Sequence, residues 1–334
     1  MQILFVYNRD SSFVAIDRRL LAERWEIRDW PQSGPPVNLL AVARAVRKSD
    51  LVFGWFASWH TFWPVTLAWL LRRPSVLVIG GFDTANLPEI GYGLQQRRIM
   101  GRVSRWTMRR ATRLMTNSEY SRREIEANVG IPPSRVRVVH HGVPDPFGEL
   151  PAQARERLAV TVGIVDRRNL ERKGLLPFVR AAALLPDVQF VVAGKWDDES
   201  VDELRAVASD NVTFTGWIEQ DELEALYRRA SVYVQASRHE GFGLSVAEAM
   251  LAGCVPVVSD SGALPEVVGE AGIVLRTGAP TPSEIAEGVR EALALDEGTR
   301  EQARRQIVEC FPLGMRKAGL EEIVEEALAT RRSE

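Results

Sequence analysis

Short runs of β-branched and apolar residues recur along the whole chain. The stretches between them carry apolar positions at helical spacing. In the first half the runs fall at 3–7, 51–53, 76–79, 113–116 and 136–139. In the second they fall at 159–162, 189–193, 212–215, 231–235, 255–259 and 272–275. This alternation predicts parallel sheets covered by helices. A Pro- and Gly-rich stretch over 142–151 separates the two series and reads as a linker. Phe311-Pro312 marks another break, followed by a final helix to about Ala329. A chain of 334 residues exceeds one ordinary core. The expected organisation is two α/β domains, 1–150 and 151–310, with a terminal helical segment over 311–334.

One segment has the length and apolarity of a membrane span. Residues 51–71 read LVFGWFASWHTFWPVTLAWLL, without a formal charge. Gly54, Ser58, His60 and Pro64 interrupt it. We read a strand over 51–53, a loop around 58–60, and a helix over 61–72 with Pro64 in its first turn. The N-terminal MQILFVYNRD has no basic region before its apolar run and reads as a first strand, not a signal peptide.

Composition is that of a soluble globular protein, 46% hydrophobic and 26% charged. The two cysteines, Cys254 and Cys310, are far apart and form no ligand pattern, which fits a reducing cytoplasm. Charge changes the picture more. Residues 1–150 hold 21 basic and 13 acidic residues; 151–334 hold 21 and 31. The basic half points to an anionic acceptor or a lipid surface, and so to peripheral contact at the inner face of a membrane. Arg98, Arg102, Arg105 and Arg109 share one face of a predicted helix. No nucleic-acid-binding motif accompanies this charge.

The densest chemistry lies in HEGFGLSVAEAMLAGCVPVV, from His239 to Val258. Glu240 sits in a loop after one predicted strand, at the edge where parallel sheets bind ligands. Gly241-Phe242-Gly243 opens a helix, whose first amides at Gly243, Leu244 and Ser245 offer an anion site. Glu248 lies about five residues into that helix.

This E-x7-E pattern, followed by A-x-G-x-P-V-V and Gly262-Ala263-Leu264-Pro265-Glu266, resembles the GT-B retaining glycosyltransferases of family 4, also called glycosyl transferases group 1. The resemblance is strong over 160–275 and weaker over the first hundred residues. It implies two Rossmann-like domains facing each other across a cleft, the first binding acceptor and the second a nucleotide sugar, with the terminal helix packing back toward the first. It implies that Glu240 lies beside the donor sugar and that Glu248 holds the ribose hydroxyls.

The segment 162–174 resembles the family's G-R-x5-K-G element, whose Arg and Lys bind the donor phosphates. Lys173-Gly174 matches, but Ile164 follows Gly163 where the family has Arg, and the loop is longer. Arg167 is the expected replacement. Gly194 and Lys195, and Trp217 in the next turn, line the base pocket in the resembled fold. The first half lacks the glycine-rich loop and the histidine that many relatives carry; Asn8 to Ser12 and Gly80-Gly81-Phe82-Asp83 stand there instead. Asp83 is the candidate polar group near the reacting carbon, or a turn residue. His60, read as an exposed loop residue among tryptophans, is the candidate acceptor contact.

The expected function is retaining transfer of a hexosyl group from a UDP- or GDP-linked sugar to a hydroxyl on a glycan or glycolipid. No metal and no other cofactor is expected, since no Asp-x-Asp pair stands in a suitable loop. A nucleotide-sugar epimerase on the same fold and a non-catalytic nucleotide-sugar binder are the alternative readings.

Overall fold

The computed structural model describes residues 1–32, 34, 37–148 and 155–330. The first strands and helices are β1 (Gln2–Tyr7), α1 (Ser12–Ala22), β2 (Glu26–Pro31), α2 (Leu39–Lys48), β3 (Leu51–Trp55), α3 (Trp59–Leu70) and β4 (Ser75–Ile79). They continue as α4 (Arg98–Arg110), β5 (Arg113–Thr116), α5 (Glu119–Val129) and β6 (Val136–Val138). The second series is β7 (Glu156–Val162), α6 (Arg167–Arg172), α7 (Leu175–Ala181), β8 (Gln189–Ala193), α8 (Ser200–Val207), β9 (Val212–Gly216), α9 (Gln220–Arg229) and β10 (Ala230–Gln235). It ends with α10 (Leu244–Leu251), β11 (Val255–Val258), α11 (Leu264–Val268), β12 (Ile273–Val274), α12 (Pro282–Ala294), α13 (Glu297–Cys310) and α14 (Leu313–Thr330).

The chain divides into two compact units, Met1–Gly142 with Leu313–Glu334, and Val143–Pro312. Of the expected linker, residues 149–151 lie outside the described residues. Each unit holds one six-stranded sheet, in the orders β2-β1-β3-β4-β5-β6 and β12-β11-β10-β7-β8-β9. All the strand pairs are parallel. Parallel strands need helical crossovers, which cover both sheet faces. That is why β3, β4, β10 and β11 are buried along their whole length.

In the first unit, α14 adds Leu320, Ile323, Val324 and Ala327 to the core formed by Phe5, Phe53 and Trp55. A buried ion pair fixes it there. Arg316 donates to both carboxylate oxygens of Asp17, at 2.9 and 2.6 Å, and also to the Val139 carbonyl. Among the described residues no helix is long and apolar enough to cross a membrane. The apolar segment 51–71 folds as β3, a short turn and α3. The helix starts at Trp59, two residues earlier than expected, because Ser58 and Thr61 form a capping box. Pro64 therefore falls in the second turn rather than the first.

One strand departs from expectation. β2, EIRDWP, is at the sheet edge and has no fully buried residue. An edge strand needs little apolar surface, so the hydrophobic pattern does not reveal it.

Candidate functional site

The second sheet reverses direction at β7. Strands β8 and β9 build outward on one side, and β10, β11 and β12 on the other. Such a reversal leaves a crevice at the carboxyl ends of the two central strands. The loops that open there follow β7 and β10, and they carry Lys173 and Glu240.

The segment after β7 is not an extended loop. Asp166 caps α6 by accepting from the Asn169 amide at 2.7 Å. The helix ends at Arg172 and Lys173. Gly174 then takes φ +66°, and a Cβ there would stand 2.2 Å from the Ala236 carbonyl oxygen. Only glycine allows that approach, and it pins the end of α6 against the end of β10. From the other side, a Cβ on Gly262 would stand 2.3 Å from the Glu240 carbonyl oxygen, which accepts from the Ala263 amide at 2.9 Å.

Held between these glycines, Glu240 meets two cations. Lys173 Nζ lies 2.8 Å from Glu240 Oε1, and Arg172 Nη1 lies 3.8 Å from the same oxygen. The Arg172 guanidinium is itself oriented: Nε donates to Asn169 Oδ1 at 2.9 Å and Nη1 to the His239 carbonyl at 3.3 Å. All three charged side chains are at most 16% exposed, so water screens them little. Burial by itself pushes the Glu240 carboxyl up. The charge of Lys173, then Arg172, then the Lys173 hydrogen bond and His239 reverse this and hold it at about 2.

Glu248 is treated in the opposite way. Helix α10 buries Val246, Ala247, Ala249 and Met250 and leaves Glu248 half-buried. Among the described residues its carboxyl makes no hydrogen bond or ion pair. Burial first, and the charge of Glu224 second, push it up to about 7. The buried Tyr233 hydroxyl, which donates to Gln235 Oε1 at 2.8 Å, is within electrostatic reach of both carboxyls.

The remaining expected residues divide. Gly241 and Gly243 form the turn into α10, with Gly243 at φ +106°, and Leu244 opens the helix. Phe242 is buried edge-on against Phe311, centroids 5.2 Å apart, and anchors this turn in the core. Gly194 stands at the carboxyl end of β8 and donates to Gly216 at the end of β9, at 3.0 Å. Lys195 points outward to Asp197, 2.5 Å away. Trp217 is 70% exposed beyond the edge strand β9. The indole beside these strand ends is that of Trp196, 3.6 Å from where a Gly216 Cβ would stand.

Two expectations, Arg167 and His60, need correction, and for Asp83 the turn alternative holds. Arg167 is not the arginine beside Glu240. It occupies the first position of α6, at the opposite end of that helix from Lys173, and pairs with Glu203. Arg172 takes the place instead. Asp83 is 1% exposed: Oδ2 accepts from the Ala57 amide at 2.8 Å, and Oδ1 from Gly80 and Gly81 at 3.1 and 3.0 Å. It staples the turns after β3 and β4 and presents no oxygen to a reacting carbon. His60 is not in an exposed loop. It lies inside α3, 1% exposed, and Nε2 donates to the Trp55 carbonyl at 2.7 Å. Burial, offset in part by that bond, lowers it to about 4, so it is a neutral core histidine.

Comparison with known proteins agrees with this fold. Residues 8–145 match the family model described as Glycosyltransferase Family 4, and 156–294 the model described as Glycosyl transferases group 1. A lipopolysaccharide core biosynthesis mannosyltransferase, LpcC, of Rhizobium leguminosarum bv. viciae is 31% identical over 254 residues, 69% of this chain and 69% of that protein. A GDP-mannose:cellobiosyl-diphosphopolyprenol alpha-mannosyltransferase of Xanthomonas campestris is 32% identical over 185 residues. That match covers 52% of this chain and about half of the relative, 47%. Among solved structures, Anabaena HepE in complex with UDP-glucose superposes with a TM-score of 0.78 at 17% identity, covering 98% of this chain and 100% of that one. A sucrose-phosphate synthase from Thermosynechococcus elongatus gives 0.76 at 18% identity, covering 99% and 100%. With both sheets parallel and the charged pair at the reversal of the second, the chain belongs to the family 4, or group 1, glycosyltransferases of the GT-B fold.

Proposed function

We propose that the second unit binds a UDP- or GDP-linked sugar and that the enzyme moves its hexosyl group to a hydroxyl of a glycan or lipid-linked acceptor, with retained anomeric configuration. The observation that carries this reading is the buried cluster of Lys173, Arg172 and Glu240 beside an unpartnered Glu248. A departing nucleoside diphosphate accumulates negative charge, which Lys173, Arg172 and the first amides of α10 stabilise without a metal. Glu240 stays ionised throughout the working pH range and lies beside the donor sugar, where a carboxylate favours an oxocarbenium-like carbon. The acceptor hydroxyl attacks from the face the diphosphate leaves. Glu248 accepts hydrogen bonds from the two ribose hydroxyls, which supply the donors its carboxyl lacks.

The relatives support the substrate class by name: the Xanthomonas enzyme uses GDP-mannose, and HepE is seen with UDP-glucose. The test combines thermal-shift screening against UDP, GDP, ADP and their sugars with an assay of donor hydrolysis. A ligand held only by the folded state raises the melting point. A shift with one nucleotide family and slow release of its diphosphate is expected. Epimerised donor, or binding without any turnover, overturns the transferase reading. An unchanged shift in Glu248→Ala removes the ribose assignment.

A further inference from the structure

Strand β9 ends at Gly216 and is followed by Trp217 and Ile218. Ile218 packs against the core of the second unit, whereas Trp217 stands 70% exposed between it and the glycine. The indole is fixed there. Its Nε1 donates to Glu219 Oε1 at 3.3 Å, and the Glu219 amide donates to Glu222 Oε2 at 3.0 Å in the first turn of α9. The Leu223 amide closes on the Glu219 carbonyl at 2.9 Å. The polar edge of the ring is thus tied to a helix start, and the apolar remainder is left to solvent.

Trp196, after the neighbouring strand β8, extends this surface. A Cβ on Gly216 would stand 3.6 Å from the Trp196 ring, so the two tryptophans leave the sheet at adjoining points. Trp196 is 36% exposed, and the Arg205 guanidinium stacks on its ring at 4.5 Å. The charge around both is mostly of one sign. From Lys195 to Glu224 the chain holds ten acidic and two basic residues. Both basic ones are paired, Lys195 with Asp197 at 2.5 Å and Arg205 with Asp202 at 3.1 Å.

This combination narrows the occupant. Polyanions and anionic lipids are repelled by such a rim. An apolar protein face would bury carboxylates without giving them partners. A neutral sugar chain satisfies both parts of the surface: the C–H face of a pyranose covers an indole, and its hydroxyls donate to the carboxylates. We propose that Trp217 and Trp196 form a docking platform for an uncharged pyranose chain. It lies at the end of β9, two strands and so about 10 Å from β7 and the donor crevice. The proposal goes beyond the transferase reading, since holding a chain there needs neither donor nor turnover, and its failure leaves the donor test untouched.

The experiment is calorimetric titration of the full chain with mannohexaose, cellohexaose and maltohexaose, and with spermine as a cationic control. At least one saccharide is expected to bind, equally at low and high salt and equally with UDP or GDP present. Trp217→Ala is expected to weaken that binding about tenfold, and Trp217→Tyr to keep most of it, because the phenol retains a flat apolar face. Both alter an exposed side chain, and unchanged melting temperatures confirm that the fold persists. Absence of saccharide binding by the wild-type chain at millimolar concentration overturns the proposal, and spermine binding in its place assigns the face to a cation. Wild-type affinity in Trp217→Ala overturns it as well. Displacement of the saccharide by UDP or GDP assigns the indoles to the nucleobase and equally overturns it.

Discussion

Replacing Lys173 with Gln removes the closest cation from a carboxylate that burial disfavours. The effect on stability follows from the structure. Glu240 is held at about 2, against an ordinary value of 4.5, mainly because Lys173 outweighs the burial that pushes it up. A difference of that size corresponds to about 3 kcal/mol at neutral pH. In the variant, Arg172 remains at 3.8 Å, too far for a good hydrogen bond. The Glu240 carboxyl then returns toward or above its ordinary value. The folded-state value in the native protein lies below the unfolded one, so the stabilisation is fully present above 4.5 and is lost as pH falls toward 2. Lys173→Gln should therefore cost about 2–3 kcal/mol at pH 7. The deficit should shrink as the pH falls through that window, because protonated Glu240 gains nothing from the lysine. Urea unfolding of both proteins at several pH values measures this directly. A deficit that stays constant with pH, or none at pH 7, would refute the argument.

Glu248 is raised from 4.5 to about 7, so its burial costs stability progressively as pH rises from 4.5 and in full above 7. Glu248→Gln should raise stability at pH 8 by about 1–2 kcal/mol while weakening donor binding. In the native enzyme, donor affinity should fall as pH drops below 7, which calorimetric titration across pH 6–8 checks. Gly174→Ala forces a Cβ onto the Ala236 carbonyl. A loss of about 3 kcal/mol or more is expected, with donor affinity falling as Lys173 shifts; a melting point equal to the parent's would contradict the close packing. Asp83→Asn leaves one acceptor for three amides, and should cost about 2 kcal/mol. The donor-induced melting shift should be kept, and a lost shift would argue against a purely stapling role.

The parts of the site legible in the sequence are those in which glycine and charge recur at short, fixed spacing. Lys173-Gly174 and Glu240 to Glu248 are such parts; the reason for two of the glycines, Gly174 against Ala236 and Gly262 against Glu240, is a close backbone approach seen only in the folded chain. The sequence points to Arg167, whereas the arginine beside Glu240 is Arg172, the neighbour of Lys173. The missed signal is Asp166, a capping residue that begins a short helix and carries Arg167 away from the crevice. His60 reads as exposed because it is polar and follows a strand, yet it is buried inside α3 with Nε2 on the Trp55 carbonyl. For Asp83 the turn alternative holds, since its carboxylate is taken up by three backbone amides.

Alternating apolar periods and punctuating glycines and prolines sufficed to settle the α/β class and most strand positions, because each depends on neighbours within a few residues. Tertiary structure alone decided the rest. The strand order that sets the reversal between β7 and β10, the meeting of Lys173 with Glu240 and the pairing of Asp17 with Arg316 all join residues distant in the chain. So does the desolvation that sends two glutamates of one motif to opposite ends of the carboxyl range. Burial and charge proximity are properties of the packed chain, and a linear pattern does not contain them.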